Sequence, residues 1–185
     1  MKGIMFKPDM VRAILQGTKS VTRRVIKRQP LGFVVGDTLQ AGIYYLDGDP
    51  SKMIKAKFRP GQVVYVKEAW KDRLLTSAEV PEHVEIKVWN SPVFMPAWAA
   101  RLFLEIVSVR PERLQTITED DAIAEGIHAG ASWITSPIEQ YAALWDSINT
   151  RAGTRWADNP FVFRYEFRRT AIVPNERDRE MYTSK

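Results

Sequence analysis

The chain has 185 residues, 45% of them hydrophobic and 26% charged, a globular composition with enough length to bury roughly 70% of the unfolded surface without staples. It has no cysteine and only two histidines, His83 and His128, which excludes a disulfide scaffold, a thiol nucleophile, a thiolate-held metal or cluster and a histidine-rich metal site. Lys+Arg number 27 against 22 Asp+Glu, for a net charge of +5 and a pI near 9.5, a balance that suits an anionic partner such as nucleic acid or a nucleotide.

The first predicted element is a short helix. Pro8 suits its first turn, Asp9 complements the dipole, Val11, Ile14 and Leu15 form an apolar stripe, and Gly17 is placed to end it as a left-handed cap. The basic segment from Thr18 to Arg28 carries β-branched Val21, Thr22, Val25 and Ile26 and reads as extended chain. Residues 30–60 are rich in Gly, Pro and Asp and read as a hairpin-bearing insertion. Arg59-Pro60-Gly61 is a turn into a β-rich run, Gln62–Val66, that leads to Lys67-Glu68-Ala69-Trp70.

Residues 71–81 are polar and loop-like, and His83 sits among such residues. Val84–Trp89 alternates as a half-buried strand, and Arg101–Val109 is a longer strand with Leu102, Leu104 and Ile106 on one face. Two helices follow. Thr118 caps the first, with Asp121 near a capping-box position and Gly126 at its end; Ser136-Pro137-Ile138-Glu139 opens the second. The second helix's stripe of Ile138, Tyr141, Ala142, Trp145 and Ile148 reads as core. Phe161–Phe167 is a closing strand with Phe161, Phe163, Tyr165 and Phe167 on one face, and residues 171–185 read as a flexible tail.

Helix, several strands, two helices and a closing strand make an α+β fold, most simply a small β-barrel flanked by helices. No apolar run approaches the ~20 residues needed to cross a bilayer, and Lys7, Pro8 and Asp9 interrupt any signal-peptide core. The expectation is a soluble, cytoplasmic chain with no membrane partner.

No Walker-type loop and no dinucleotide fingerprint is present. Composition leaves a Ser-His-Asp triad open, although neither histidine lies in a setting that indicates a base. Metal hydrolysis lacks ligands, and no cofactor is expected. What remains is Gly17-Thr18-Lys19-Ser20-Val21-Thr22-Arg23-Arg24. In extended chain, Ser20, Thr22 and Arg24 fall on one side and Lys19, Val21 and Arg23 on the other. If the turn after Gly17 swings Lys19 inward, its amine comes within reach of the Thr22 hydroxyl. A desolvated lysine among other cations loses proton affinity, and a threonine beside such a base is a nucleophile candidate. The bland alternative for the whole segment is a solvated charge run.

GTKSVTRR resembles the G-x-K-x-x-[TE]-x-R signature of the activating-signal-cointegrator homology (ASCH) family, within the PUA-like superfamily. RPGQVVYVKEAW looks like that family's barrel strand. SPVFMPAWAARLFLEIVSVRPERLQTITEDDAIAEGI resembles its phage and prophage branch, and FVFRYEFRR its last strand. The resemblance spans Gly3 to Arg169 and implies one domain over residues 1–170, with 30–60 inserted. It implies a five- or six-stranded barrel and binding of RNA, a nucleotide or a modified nucleoside. Some small members resemble amidohydrolases acting on N4-acylated cytidine, and ribonuclease activity is also associated with the family.

Carried onto matching positions, the resemblance implies Lys19 as general base, Thr22 as nucleophile, and Glu125 as the carboxylate that orients or protonates. Arg24 matches the signature arginine, which would hold a carbonyl, a phosphate or the pocket's own carboxylate. Many members carry Glu where Thr22 stands, so the reaction is not family-wide. Trp70, at a strand end, could stack on a base, with core packing as its structural alternative, and Arg101 could line the same cleft. Arg23, Lys27 and Arg28 read as phosphate contacts if RNA is bound. A third class is a phage-encoded interaction module that lacks catalysis.

Overall fold

The computed structural model describes residues 1–29, 34–38, 43–46, 49–70, 90–127 and 134–171. In chain order its elements are β1 (Lys2–Met5), α1 (Pro8–Gln16), β2 (Val21–Val25), β3 (Val34–Thr38), β4 (Ile43–Leu46), β5 (Asp49–Lys55), β6 (Val63–Lys67), β7 (Phe103–Arg113), α2 (Glu119–Ala124), α3 (Pro137–Ile148) and β8 (Phe161–Thr170). The expected Val84–Trp89 strand, the 71–81 loop, both histidines and the 172–185 tail lie outside the described residues. Among the described residues, no helix is long and apolar enough to cross a membrane.

The fold is α+β. A mixed five-stranded sheet runs in the order β1-β6-β7-β8-β2, with β1 parallel to β6 and β2 antiparallel to β8. The expected barrel is corrected here: the sheet is open, with β1 and β2 at its edges. Closure requires the edge strands to pair in register. These strands are only 4 and 5 residues long, and the backbone just before β2 is bonded to the end of α2, Ser20 N–H donating to the Ala124 carbonyl at 2.9 Å.

The chain divides into two compact units. The first comprises Met1–Val11, Val63–Leu104 and Arg169–Lys185. In it, β1 lies along β6 from Lys2 opposite Val64 to Met5 opposite Lys67. Its core is Tyr65, Met95, Ala100 and Phe103, with Val63 and Trp70 packed against them. The Tyr65 hydroxyl donates to the Met95 carbonyl at 3.1 Å, so its polar end is satisfied where it is buried.

The second unit comprises Arg12–Gln62 and Glu105–Arg168. Where the sequence predicts hairpins, β3, β4 and β5 form a three-stranded antiparallel sheet. The alternation of β8 is realised, with Phe161, Phe163, Tyr165 and Phe167 all buried. As an inner strand it also buries Val162 and Arg164 on its other face. Leu114, Ile117, Ala122, Tyr141, Trp145 and Val162 form the helix-side core. Ile148, the last member of the predicted α3 stripe, is 44% exposed, so that stripe stops one turn before the helix does. The start of α3 matches its sequence: Ser136 and Glu139 exchange the two bonds of a capping box.

Two helix ends position the site, and both are Schellman motifs. Gly17 (φ +82°) ends α1, with its N–H on the Ile14 carbonyl and that of Thr18 on Ala13. Gly126 (φ +97°) ends α2, with its N–H on Ile123 and that of Ile127 on Ala122. They differ in the space available to a side chain. A Cβ on Gly17 would meet nothing within 4 Å, whereas one on Gly126 would lie 3.2 Å from Ala13 Cβ and 3.4 Å from Lys19 Cβ. Gly17→Ala is therefore expected to cost about 1 kcal/mol, the backbone penalty alone. Gly126→Ala is expected to cost roughly 2–3 kcal/mol, because that penalty is joined by packing strain between two helix ends. Urea melts of the two variants check the difference.

Candidate functional site

The site is built where those two helix ends meet within the second unit. Lys19 and Glu125 form an isolated antiparallel bridge, which sets their side chains against one another. Lys19 is 2% exposed and Glu125 4%. The ammonium has three N–H groups, and it bonds the Val21 carbonyl at 2.8 Å, the Glu125 carbonyl at 2.7 Å and Glu125 Oε2 at 2.7 Å. Lys19 thus neutralises a buried carboxylate and caps the carbonyl end of α2. Burial lowers its pKa, Glu125 opposes that shift, and the charges of Arg24 and Arg23 add to it.

Arg23 departs from its expected place. It is 2% exposed, and its guanidinium lies among three carboxylates: Glu112 Oε1 at 2.8 Å, Asp121 Oδ2 at 2.5 Å and Glu125 Oε1 at 3.3 Å. Where the sequence reading has a phosphate contact, the Arg23 guanidinium faces three carboxylates of the protein itself. Asp121 also accepts from Arg164 Nη2 at 2.8 Å. Arg164 is itself 8% exposed, and its Nε has no partner among the described residues. Lys19, Arg23 and Arg164 face Glu112, Asp121 and Glu125, and the more exposed Arg110 adds a 2.9 Å pair with Glu112 at the cluster's edge. Burial would raise the Asp121 pKa, but its bonds and proximity to Arg164 and Arg23 outweigh that and lower it. Tyr141 donates to Glu125 Oε1 at 3.3 Å, and burial together with that carboxylate pushes its pKa far up.

The other face of β2 carries Thr22 and Arg24, as the alternation of the sequence predicts. Thr22 sits opposite Tyr165 of β8, and Arg24 opposite Phe163. Thr22 is 1% exposed, and its Oγ1 accepts from Arg24 Nη1 at 2.6 Å. The same nitrogen donates to the Arg23 carbonyl at 2.9 Å. Arg24 is half-buried, and burial lowers its pKa from the ordinary guanidinium value while Glu125 opposes that shift. Lys27 and Arg28, just past β2, are exposed.

Trp70 and Arg101 belong to the first unit. Trp70 packs into that unit's core, edge-on to Trp98 with ring centres 5.7 Å apart. Its Nε1 has no partner among the described residues. Arg101 is exposed and engages Glu68 through two bonds of 2.7 and 2.8 Å.

Sequence reasoning missed Glu112, Asp121, Tyr141, Arg164 and Tyr165 as parts of the site. Arg164 carried a signal, being a lone cation in the otherwise apolar stretch Phe161–Tyr165. Asp121 carried none, since its helix-start position accounts for it fully.

No family model matches the chain, and no curated protein matches it in sequence. Among solved structures it is similar to a DUF984 protein from Enterococcus faecalis V583, with a TM-score of 0.47 and 11% identity over 92% of this chain and 80% of that one. It is also similar to an ASCH domain from Lactobacillus crispatus JV V101, with a TM-score of 0.45 and 13% identity over 91% of this chain and 78% of that one.

Proposed function

We propose that the chain is an ASCH-like, PUA-like protein of the phage or prophage type that binds a nucleotide, a modified nucleoside or RNA beside Lys19, Thr22, Arg24 and Glu125. The observation that supports this best is the buried ionic cluster under β2, where Lys19, Arg23 and Glu125 are all 4% exposed or less. Well-packed apolar residues would serve stability as well or better than such a cluster. Its service is to hold the Thr22–Arg24 face in one geometry. A half-buried guanidinium suits carbonyl, carboxylate and phosphate oxygens, and Lys27 and Arg28 extend the site with exposed charge for a nucleic-acid backbone.

The test is affinity for a nucleotide and a short RNA, titrated against salt. Arg24→Ala is expected to weaken both ligands about tenfold or more, and Lys27→Ala to reduce the salt slope for RNA by roughly one phosphate contact. Wild-type protein that binds neither ligand at low salt would overturn the reading.

A hydrolytic version has its own supporting observation: burial draws down the proton affinity of Lys19 three residues before a buried threonine. In this version Lys19 first passes a proton to Glu125, its 2.7 Å partner, and the freed amine then takes the proton of Thr22 Oγ1 as that oxygen adds to an acyl carbon. The C–N bond then breaks as Lys19 returns that proton to the leaving amine, with Glu125 orienting the lysine. Water cleaves the resulting ester. Release of cytidine from N4-acetylcytidine by wild type, and by neither Lys19→Ala nor Thr22→Val, is the result expected. No turnover over a panel of acylated nucleosides would remove this version and leave binding standing.

A further inference from the structure

The bend that follows β2, Ile26–Gln29, is held by a side chain. The Gln29 amide donates to the Ile26 carbonyl at 2.6 Å and to the Phe161 carbonyl at 3.0 Å, and its oxygen accepts the Phe161 N–H at 2.7 Å. The Ile26 N–H bonds the same Phe161 carbonyl at 3.0 Å. Both ends of the bend are thereby fastened to the first residue of β8. Lys27 and Arg28, between the fastenings, are exposed, and among the described residues neither forms an ion pair.

A third cation shares this anchor. Arg113, the last residue of β7, lies over the Phe161 ring at 3.9 Å and donates to the Asn159 carbonyl at 3.1 Å. Elsewhere in this unit cations meet carboxylates: Arg23 and Arg164 do so in the buried cluster, and Arg168 on Glu105 at 2.9 Å. Lys27, Arg28 and Arg113 gather around Phe161 with no carboxylate paired to them among the described residues. Clustered like charge works against the compact state. Such a cluster is complementary to an anion of repeating charge, and fixing it in advance lowers the ordering cost of binding one.

We propose that Lys27, Arg28 and Arg113 form a ledge for the phosphate backbone of a nucleic-acid strand, with Gln29 as its positioning residue. The ligand of the adjoining Thr22–Arg24 face is then a strand and not a lone nucleotide, so the proposal rests on the reading of that face. A mononucleotide brings one phosphate, whereas a strand brings one for each nucleotide and releases counterions at each contact. The probes are a short oligouridylate and uridine monophosphate, each titrated against salt. Wild type is expected to bind the oligouridylate at least about tenfold more tightly at low salt. Lys27→Ala/Arg28→Ala, a double variant at exposed positions, is expected to flatten its salt slope by about 1.4, the single-strand value for two phosphates, and to erase most of that preference. Arg113→Gln is expected to flatten the slope by about 0.7.

Gln29→Ala keeps all three charges and loosens the bend. It is expected to lower the ratio of oligouridylate to monophosphate affinity about fivefold. An equal loss for both probes is what a merely structural role gives, and it overturns the positioning role of Gln29. The double variant decides the matter if Gln29→Ala fails to give a folded melting transition. An oligouridylate bound no more tightly than the monophosphate, a preference that survives in the double variant, or polyglutamate bound as tightly as the oligouridylate overturns the proposal and leaves nucleotide binding intact. No binding of either probe at low salt overturns the reading of the site itself, and the proposal with it.

Discussion

Arg23→Met is expected to remove about 3–5 kcal/mol of folding stability, the usual cost of deleting one partner from a buried ion pair. Methionine can fill much of the volume, so the loss is electrostatic rather than a cavity effect. Without the guanidinium, Glu112, Asp121 and Glu125 keep Lys19, Arg164 and the more exposed Arg110 as cations, but Glu125 loses one of its two partners and Asp121 its shortest ion pair. Urea unfolding at neutral pH measures the loss. Arg24→Met is expected to cost about 1 kcal/mol for each bond it breaks, among them those to the Thr22 hydroxyl and the Arg23 carbonyl.

The pH dependence follows with a definite sign. The pKa of Asp121 is below its ordinary 3.8 in the folded chain. Its contribution to stability is therefore complete above that value and is lost as pH falls through the folded pKa. Arg23→Met removes one of the two cations responsible, so the variant's acid loss below about 3.8 is expected to be shallower than that of wild type.

The second large effect is at Lys19. Lys19→Met is expected to cost about 3–5 kcal/mol, since it leaves the Glu125 carboxylate without its 2.7 Å cation and the end of α2 without its cap. Adding Glu125→Gln to that variant is expected to recover about 1–3 kcal/mol, because the amide has no charge to strand. A double-mutant cycle by urea unfolding tests this. Additivity of the two substitutions would mean that the pair is not coupled. Both variants are also expected to disturb the Thr22–Arg24 face, because the Lys19 ammonium bonds the Val21 carbonyl in the strand that carries it.

The parts of the site that were legible in the sequence are local. Gly17 and Gly126 stand at their helix ends because only a residue tolerant of positive φ fits there. The division of Thr22 and Arg24 from Lys19 and Arg23 follows from the two-residue period of extended chain. The burial of Arg23 was not legible. The carboxylates that make it tolerable lie 89, 98 and 102 residues further along the chain, and a run of five cations in ten positions ordinarily signifies a solvated surface. The open sheet escaped because closure depends on whether two distant edge strands pair, which no local pattern encodes.

Amide 15N–1H spectra of the wild-type chain, recorded as a nucleoside monophosphate is titrated in, test the central claim most directly. The expected result is saturable shifts concentrated at Val21–Val25, at Tyr165 and at Glu125–Gly126, with the same residues quiet in Arg24→Ala. Saturable shifts that leave all of these residues unmoved, or no shifts at millimolar ligand, would contradict it.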